Sequence, residues 1–155
     1  MKRLVLIGLL GVLIGTANSQ IFGVGGTVGK PPFTLSAKYW LSKPRAWDFG
    51  VWWGQKADKF NLHTHFTYLS HIYGIIPDPH WSFYGGIGGR FEIRGTAVQG
   101  ASQKIAIGPR VAGGGDFFYS PIEIFFEACP TLDLLPSLAL DVDFGIGLRY
   151  FFGRR

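Results

Sequence analysis

The stretch from residue 138 to residue 152 alternates between two kinds of side chain along its whole length. Its even positions are all apolar: Leu138, Leu140, Val142, Phe144, Ile146, Leu148, Tyr150 and Phe152. Successive side chains of a β-strand point to opposite faces. The odd positions, which include Asp141, Asp143 and Arg149, therefore form a second, charged face. This pattern predicts a strand with one face suited to hydrocarbon and one face that is not.

The same two-residue period runs through the rest of the chain after residue 20. Clusters of proline, glycine and charged residues divide this region into eight segments, each with one apolar face. Thirteen charged residues fall inside the segments, and all of them lie on the opposite face: Lys38, Asp48, Arg90, Glu92, Arg94, Lys104, Arg110, Glu123, Glu127, Asp133, Asp141, Asp143 and Arg149. This segregation predicts an all-β fold, because no helical periodicity competes with it.

Residues 1–19 have the order of features of a secretory signal peptide. Lys2 and Arg3 come first, an apolar run over residues 4–14 follows, and Ala17 and Ser19 supply the small residues of a cleavage site. We expect cleavage before Gln20, which leaves residues 20–155 as one domain. The apolar run is shorter than the roughly 20 residues of a membrane-spanning helix. An amphipathic or buried N-terminal helix is the alternative interpretation.

Charge and cysteine content exclude several classes of protein. Removal of Lys2 and Arg3 from the 15 basic residues leaves 13 of them against 10 acidic residues. These charges are scattered singly along the segments, whereas a nucleic-acid binder gathers basic residues into a patch or stripe. Cys129 is the only cysteine, so an intramolecular disulfide is impossible. We expect no nucleic-acid partner and no cofactor.

A two-residue period does not by itself decide which face is outside. A soluble eight-stranded barrel such as a lipocalin uses the same alternation with its apolar face inward. Here the polar face is also rich in glycine, whereas the apolar face is bulky and aromatic. Small residues suit the narrow interior that about eight strands enclose. We therefore expect the apolar face to meet lipid and the first and last strands to pair, because unpaired backbone groups in hydrocarbon are costly.

With these features the chain resembles the small eight-stranded outer-membrane β-barrel proteins of diderm bacteria, the OmpA-like group. Its most specific piece is Gly147-x-x-Tyr150-x-Phe152, similar to the terminal signal that the outer-membrane assembly machinery recognises. In the family an aromatic residue usually ends the chain, whereas residues 153–155 follow Phe152 here. The resemblance implies an antiparallel up-and-down transmembrane barrel in the cell outer membrane. It also implies export through a Sec-type signal, a monomer, and contact with lipid, lipopolysaccharide and the assembly machinery.

An apolar outer face sends the charged side chains into the barrel, where an unpaired charge is costly. We predict an ion-pair network centred on Arg90, Arg110 and Arg149 with Glu92, Glu127 and Asp143, which also includes Lys38, Asp48, Arg94, Glu123 and Asp141. Such a network predicts a plugged interior and a structural or surface-interaction role. A narrow gated porin-like channel is the alternative, and an outer-membrane enzyme is a less favoured one.

Three histidines are the main candidates for metal or catalytic chemistry. His63 and His65 share a face two residues apart, with His71 further along, but the sequence identifies no third ligand for a metal. No serine lies in a Gly-x-Ser-x-Gly motif. We therefore predict no metal site and no catalytic residue. Lys30, Lys56 and Lys59 lie at short outward connections, as candidates for lipopolysaccharide phosphates or as solvated lysines.

Overall fold

The computed structural model describes residues 22–56, 59–95 and 104–152. The expected signal peptide, its cleavage site and residues 153–155 lie outside the described residues, so the domain boundaries stay predictions. Eight strands are present in this order: β1 (Phe22–Lys30), β2 (Phe33–Ser42), β3 (Arg45–Lys56), β4 (Lys59–Tyr73), β5 (Trp81–Arg94), β6 (Lys104–Tyr119), β7 (Ile122–Asp133) and β8 (Ala139–Phe152). None of the described residues forms a helix long and apolar enough to cross a membrane.

The eight strands form one closed antiparallel barrel in chain order. The seam is made by β1 and β8, whose register runs from Phe22 opposite Phe152 to Lys30 opposite Phe144. Each strand therefore has a hydrogen-bonded neighbour on both sides, which is what a barrel needs in order to have no free edge. This confirms the predicted all-β, eight-stranded, antiparallel up-and-down barrel.

Burial follows the two-residue period of the sequence. On β8, Phe144 and Ile146 are 58% and 62% exposed, whereas Asp143 and Arg149 on the other face are buried. The same alternation appears on β2 and β7. The barrel thus has an apolar outer face, which points away from its axis, and an inner face that carries the charges.

The two ends of the barrel differ in what they contain. The terminal end, as we call it, holds Phe22 and Phe152 together with the connections at residues 43–44, 74–80 and 120–121. At the distal end lie the strand ends on either side of residues 31–32, 57–58, 96–103 and 134–138. Near the terminal end the interior is apolar, with a buried cluster that includes Trp40, Leu69 and Phe151.

One strand is longer than the sequence pattern shows. The period can be followed along the sixth segment as far as Ala112, whereas β6 runs on to Tyr119. The three glycines at 113–115 resemble a turn in sequence, yet each of them pairs with a residue of β5. Because the alternation continues through these glycines, Asp116 also points into the barrel and is buried.

The β1–β8 seam leaves no room for a side chain at Gly25. A Cβ atom there would lie 1.8 Å from the carbonyl oxygen of Leu148, whereas a Cβ atom at Gly113 on the outer face would meet nothing within 4 Å. We expect Gly25→Val to destabilise the refolded barrel by about 1–3 kcal/mol through overpacking. Gly113→Val is the matched control and should be close to neutral. Urea unfolding of both variants, with heat-modifiable migration on gels as a second readout, checks this, and equal stability would contradict the seam geometry.

Candidate functional site: the charged barrel interior

The inner face of the barrel carries an unusual number of buried charged side chains. Among the described residues these are the cations Lys38, Arg90, Arg110 and Arg149 and the acids Asp48, Asp116, Glu123, Asp133 and Asp143. Burial of an isolated charge is far more costly than burial of a paired one. The partners of these groups therefore decide whether the interior is stable.

Nearest the terminal end, Lys38 joins two carboxylates. Its Nζ atom donates to Asp116 Oδ2 at 2.9 Å and to Glu123 Oε1 at 2.6 Å. Asp116 also accepts a hydrogen bond from the Ser82 hydroxyl, and it lies 3.3 Å from His71 Nε2. Side chains from β2, β4, β5, β6 and β7 meet in this group, so it ties distant strands together across the interior.

Arg149 forms the next group towards the distal end. Its guanidinium donates to the carboxylates of Asp48 and, at 2.9 Å, Glu123. The Ser36 hydroxyl oxygen accepts from Arg149 Nε at 2.8 Å and from Nη2 at 2.6 Å. His65 Nε2 lies 3.2 Å from Asp48 Oδ2. Since Glu123 also binds Lys38, the two groups form one continuous network.

Aromatic rings supplement the carboxylates around these cations. The Lys38 ammonium lies 4.7 Å from the centre of the Trp40 ring, and the Arg149 guanidinium lies 3.7 Å from the centre of the Phe125 ring. Both distances are within the range of cation–π attraction. The rings therefore stabilise charge and exclude water at the same time.

Arg110 and Glu127 form a simpler pair. Arg110 Nη2 donates to Glu127 Oε1 at 3.2 Å and to the buried thiol of Cys129 at 2.7 Å. Within the described part of the chain, neither residue of the pair makes a second salt bridge. Arg110 Nε and Nη1 have no hydrogen-bond partner among the described residues.

Arg90 gathers the carboxylates nearest the distal end. Its Nη2 donates to Asp133 Oδ1 at 2.6 Å, and its Nη1 donates to Asp141 Oδ2 at 3.0 Å and Asp143 Oδ1 at 3.2 Å. Asp133 accepts a further hydrogen bond, at 3.1 Å, from Arg94 Nη2. One buried guanidinium thus holds together three carboxylates of β7 and β8.

At the rim the pairs become exposed. Arg94, whose side chain is 40% exposed, donates to Glu92 at 2.8 Å. Lys30 donates to Asp141 from the end of β1. Salt bridges at such sites contribute little to stability because water screens them. The network is therefore strongest in the middle of the barrel and weakest at its distal mouth.

The structure places the eleven residues of the predicted network inside the barrel or at its mouth. Arg90 contacts Asp143 and Arg110 contacts Glu127, whereas Glu92 contacts Arg94 and not one of the three central arginines. The predicted network omits Asp116, Asp133 and His71, which the structure adds to it. The signal for Asp116 is the alternation itself, continued through the glycines at 113–115.

The histidines do not assemble a metal site in the described part of the chain. The rings of His63 and His65 lie 5.8 Å apart, and each faces a different carboxylate: Asp143 at 3.8 Å from His63 and Asp48 at 3.2 Å from His65. No group of three or more His, Cys, Asp or Glu side chains with metal-binding geometry occurs among the described residues. The contacts of these histidines are those of members of the ion-pair network.

The solved structures that are similar to this barrel include two small barrels. The N-terminal β-barrel domain of Pseudomonas aeruginosa OprF aligns with a TM-score of 0.63 and 14% identity over 87% of this chain and 98% of that domain. Neisserial surface protein A, NspA, aligns with a TM-score of 0.58 and 13% identity over 86% of this chain and 94% of that protein. The chain shares the fold of these small barrels. No protein-family model and no curated protein sequence matches it.

Loss of one member of a buried pair should be far more damaging than loss of a rim charge. Arg149→Met leaves Asp48 and Glu123 without their guanidinium, so we expect a loss of about 3–5 kcal/mol in the free energy of unfolding. Arg94→Met is the matched control at the exposed rim and should cost at most about 1 kcal/mol. Urea unfolding in lipid vesicles measures both, and similar losses would show that the buried pairs contribute no more than surface ones.

Proposed function

We propose that this chain is an integral outer-membrane protein of a diderm bacterium, with a structural or surface-interaction role. The observation that carries the proposal is the distribution of side chains in the closed barrel, which is the reverse of that in a soluble protein. Large apolar residues are exposed around the barrel, while lysine, arginine, aspartate and glutamate are buried inside it. A soluble protein rarely exposes a large continuous apolar surface, whereas a barrel in a bilayer requires one.

The dimensions and aromatic residues support a membrane location. The strands contain 9 to 16 residues, and a tilted strand needs about 9–11 residues to cross a bilayer. Near the terminal end the outer face carries a series of aromatic residues: Tyr39, Trp47, Trp81, Tyr119 and Tyr150. Such girdles lie at the membrane interfaces of transmembrane barrels. The fold likeness to two bacterial barrels, one of them named as a surface protein, supports the same location.

We also propose that the ion-pair network closes the interior to ions and that the protein has no catalytic activity. The support is the series of ion-paired groups that follow one another along the interior, from the Lys38 group at the terminal end to Arg90 and Lys30 at the distal end. These side chains fill a barrel with room for little else. We further propose that residues 1–19 direct export and that the barrel is a monomer whose outer face contacts lipid. We propose no nucleic-acid partner, because the interior charges are largely neutralised in pairs.

A closed interior has a direct electrical consequence. Planar-bilayer recordings of the refolded protein should show no steady single-channel current, because ion pairs block the axis of the barrel. A variant with both Arg110→Ala and Glu127→Ala removes a charge-balanced pair from the middle of the interior and should show small conductance steps. Steady current through the unmodified protein would favour the narrow gated channel over the plug.

For assembly, we propose that Gly147, Tyr150 and Phe152 form the signal read by the outer-membrane assembly machinery. Tyr150 and Phe152 lie next to each other on the outer face, with ring centres 5.0 Å apart, and Phe152 pairs with Phe22 at the seam. A partner that binds the last strand could recognise these rings before β1 closes on β8.

Phe152→Ser should lower the amount of assembled barrel in the outer membrane several-fold. Phe144→Ser is the control, because Phe144 is on the same face of β8 and is 58% exposed against 57% for Phe152. The readouts are membrane fractionation and heat-modifiable migration, together with refolding of both purified variants in vesicles. An equal loss of assembly in the two variants would remove the special role of Phe152.

A further inference from the structure

The connection between β7 and β8 differs from its neighbours at the distal end. Residues 134–140 contain no charge, and four leucines there are 53%, 54%, 73% and 74% exposed: Leu134, Leu135, Leu138 and Leu140. Each of the other distal connections is flanked by basic residues: Lys30, then Lys56 and Lys59, then Arg94 and Lys104. The distal end therefore has one apolar sector, and its other connections carry cations.

The charged residues on either side of this connection point into the barrel. Asp133 is buried and accepts a hydrogen bond from Arg90 at 2.6 Å. Asp141 accepts one from Arg90 at 3.0 Å and another from Lys30. The leucines point outward and the carboxylates point inward. The arrangement found on the strands, with apolar side chains outside and charged ones inside, therefore continues through the turn. A turn in water gains nothing from this arrangement, because polar residues are favoured there.

The leucines also continue the outer face of the barrel. The Leu134 amide donates to the Ile107 carbonyl oxygen at 2.8 Å, and Leu135 forms a β-bridge with Ile107. Ile105 and Ile107 are themselves about half exposed on the outer face of β6. The turn therefore folds back beside β6 and extends the apolar outer face to the edge of the distal end.

We propose that the β7–β8 connection inserts among the acyl chains of the membrane leaflet at the distal end and anchors that side of the barrel in the membrane. This inference rests on the proposed outer-membrane location. Transfer of leucine side chains into hydrocarbon is favourable. The basic residues that flank the other connections favour water or lipid head groups over acyl chains. The barrel is consequently held more deeply on its β7–β8 side.

Lipid fits this patch better than a protein partner does. Cores of protein interfaces are enriched in aromatic residues, methionine and arginine, which give specific contacts. Besides the four leucines the connection exposes Pro136 and Ser137, and it contains neither an arginine nor an aromatic ring. The patch is continuous with the apolar outer face of the barrel, so the same lipid environment can surround both surfaces.

Depth-dependent fluorescence quenching tests the proposal. Three single-cysteine variants each carry an environment-sensitive fluorophore on the new thiol. They are Leu138→Cys in the connection, Lys104→Cys at the distal start of β6 and Ile146→Cys in the middle of the outer face. The native thiol of Cys129 is fully buried, so unsubstituted protein serves as the labelling blank. The proteins are refolded in phosphatidylcholine–phosphatidylglycerol vesicles. Quenchers are lipids with a doxyl group near the head-group end of the chain, and aqueous iodide.

The label at Leu138→Cys should emit at shorter wavelength than the label at Lys104→Cys, be quenched several-fold more by the doxyl lipid, and be quenched several-fold less by iodide. Equal iodide quenching at these two positions would overturn the inference. So would a Leu138→Cys label shielded from both quenchers, which would show that protein covers the patch. If iodide quenches the Ile146→Cys label as strongly as the Lys104→Cys label, the membrane location itself fails. If iodide quenches the Leu138→Cys label in this way but not the Ile146→Cys label, the location stands and the anchoring turn fails.

Discussion

Inside the barrel, four buried cations and the carboxylates around them neutralise one another, and the apolar outer face depends on that pairing. Strand geometry sends alternate side chains to opposite faces, so a chain that turns its apolar residues outward must turn its charged residues inward. Lys38, Arg90, Arg110 and Arg149 each bind at least one carboxylate. Without these partners the interior would contain isolated charges, which would strongly destabilise the closed barrel.

The ion pairing also explains why many inward-facing positions are glycine or another small residue. An arginine that crosses the barrel to reach a carboxylate needs space, and a position without a side chain provides it. Gly147 lies under the ring of Phe125, which itself packs on the guanidinium of Arg149. Glycine, aromatic ring and arginine thus form one packed unit, and the proposed plug is a result of this packing.

If the interior is closed, the protein acts through its surfaces. The barrel has two such surfaces. One is the apolar outer face, and the other is the distal end, which combines a leucine-rich turn with connections flanked by cations. The proposed anchoring by this turn would hold the β7–β8 side of the barrel more deeply in the membrane. The described connections are short, which is compatible with the proposed structural role.

Much of this fold follows from the sequence because strand periodicity is a local property. The pattern on residues 138–152 shows which side chains of β8 share a face, and the closed barrel gives each face its direction. The pairing of Arg90 with Asp133 could not be predicted in the same way, since it depends on the stagger between strands that are far apart in sequence. The sequence pattern does not predict the inward position of Asp116 for a different reason. The glycines at 113–115 have the composition of a turn but pair as part of a strand.

Arg110 and Glu127 offer the most direct test, because they make one salt bridge with each other and no other one among the described residues. The measurement is a double-mutant cycle in lipid vesicles with Arg110→Met, Glu127→Met and the combined variant. If pairing stabilises the interior, each single variant is strongly destabilised and the combined variant recovers about 1–3 kcal/mol relative to the sum of the two. Additive losses would mean that the two charges do not stabilise each other, and would contradict the account.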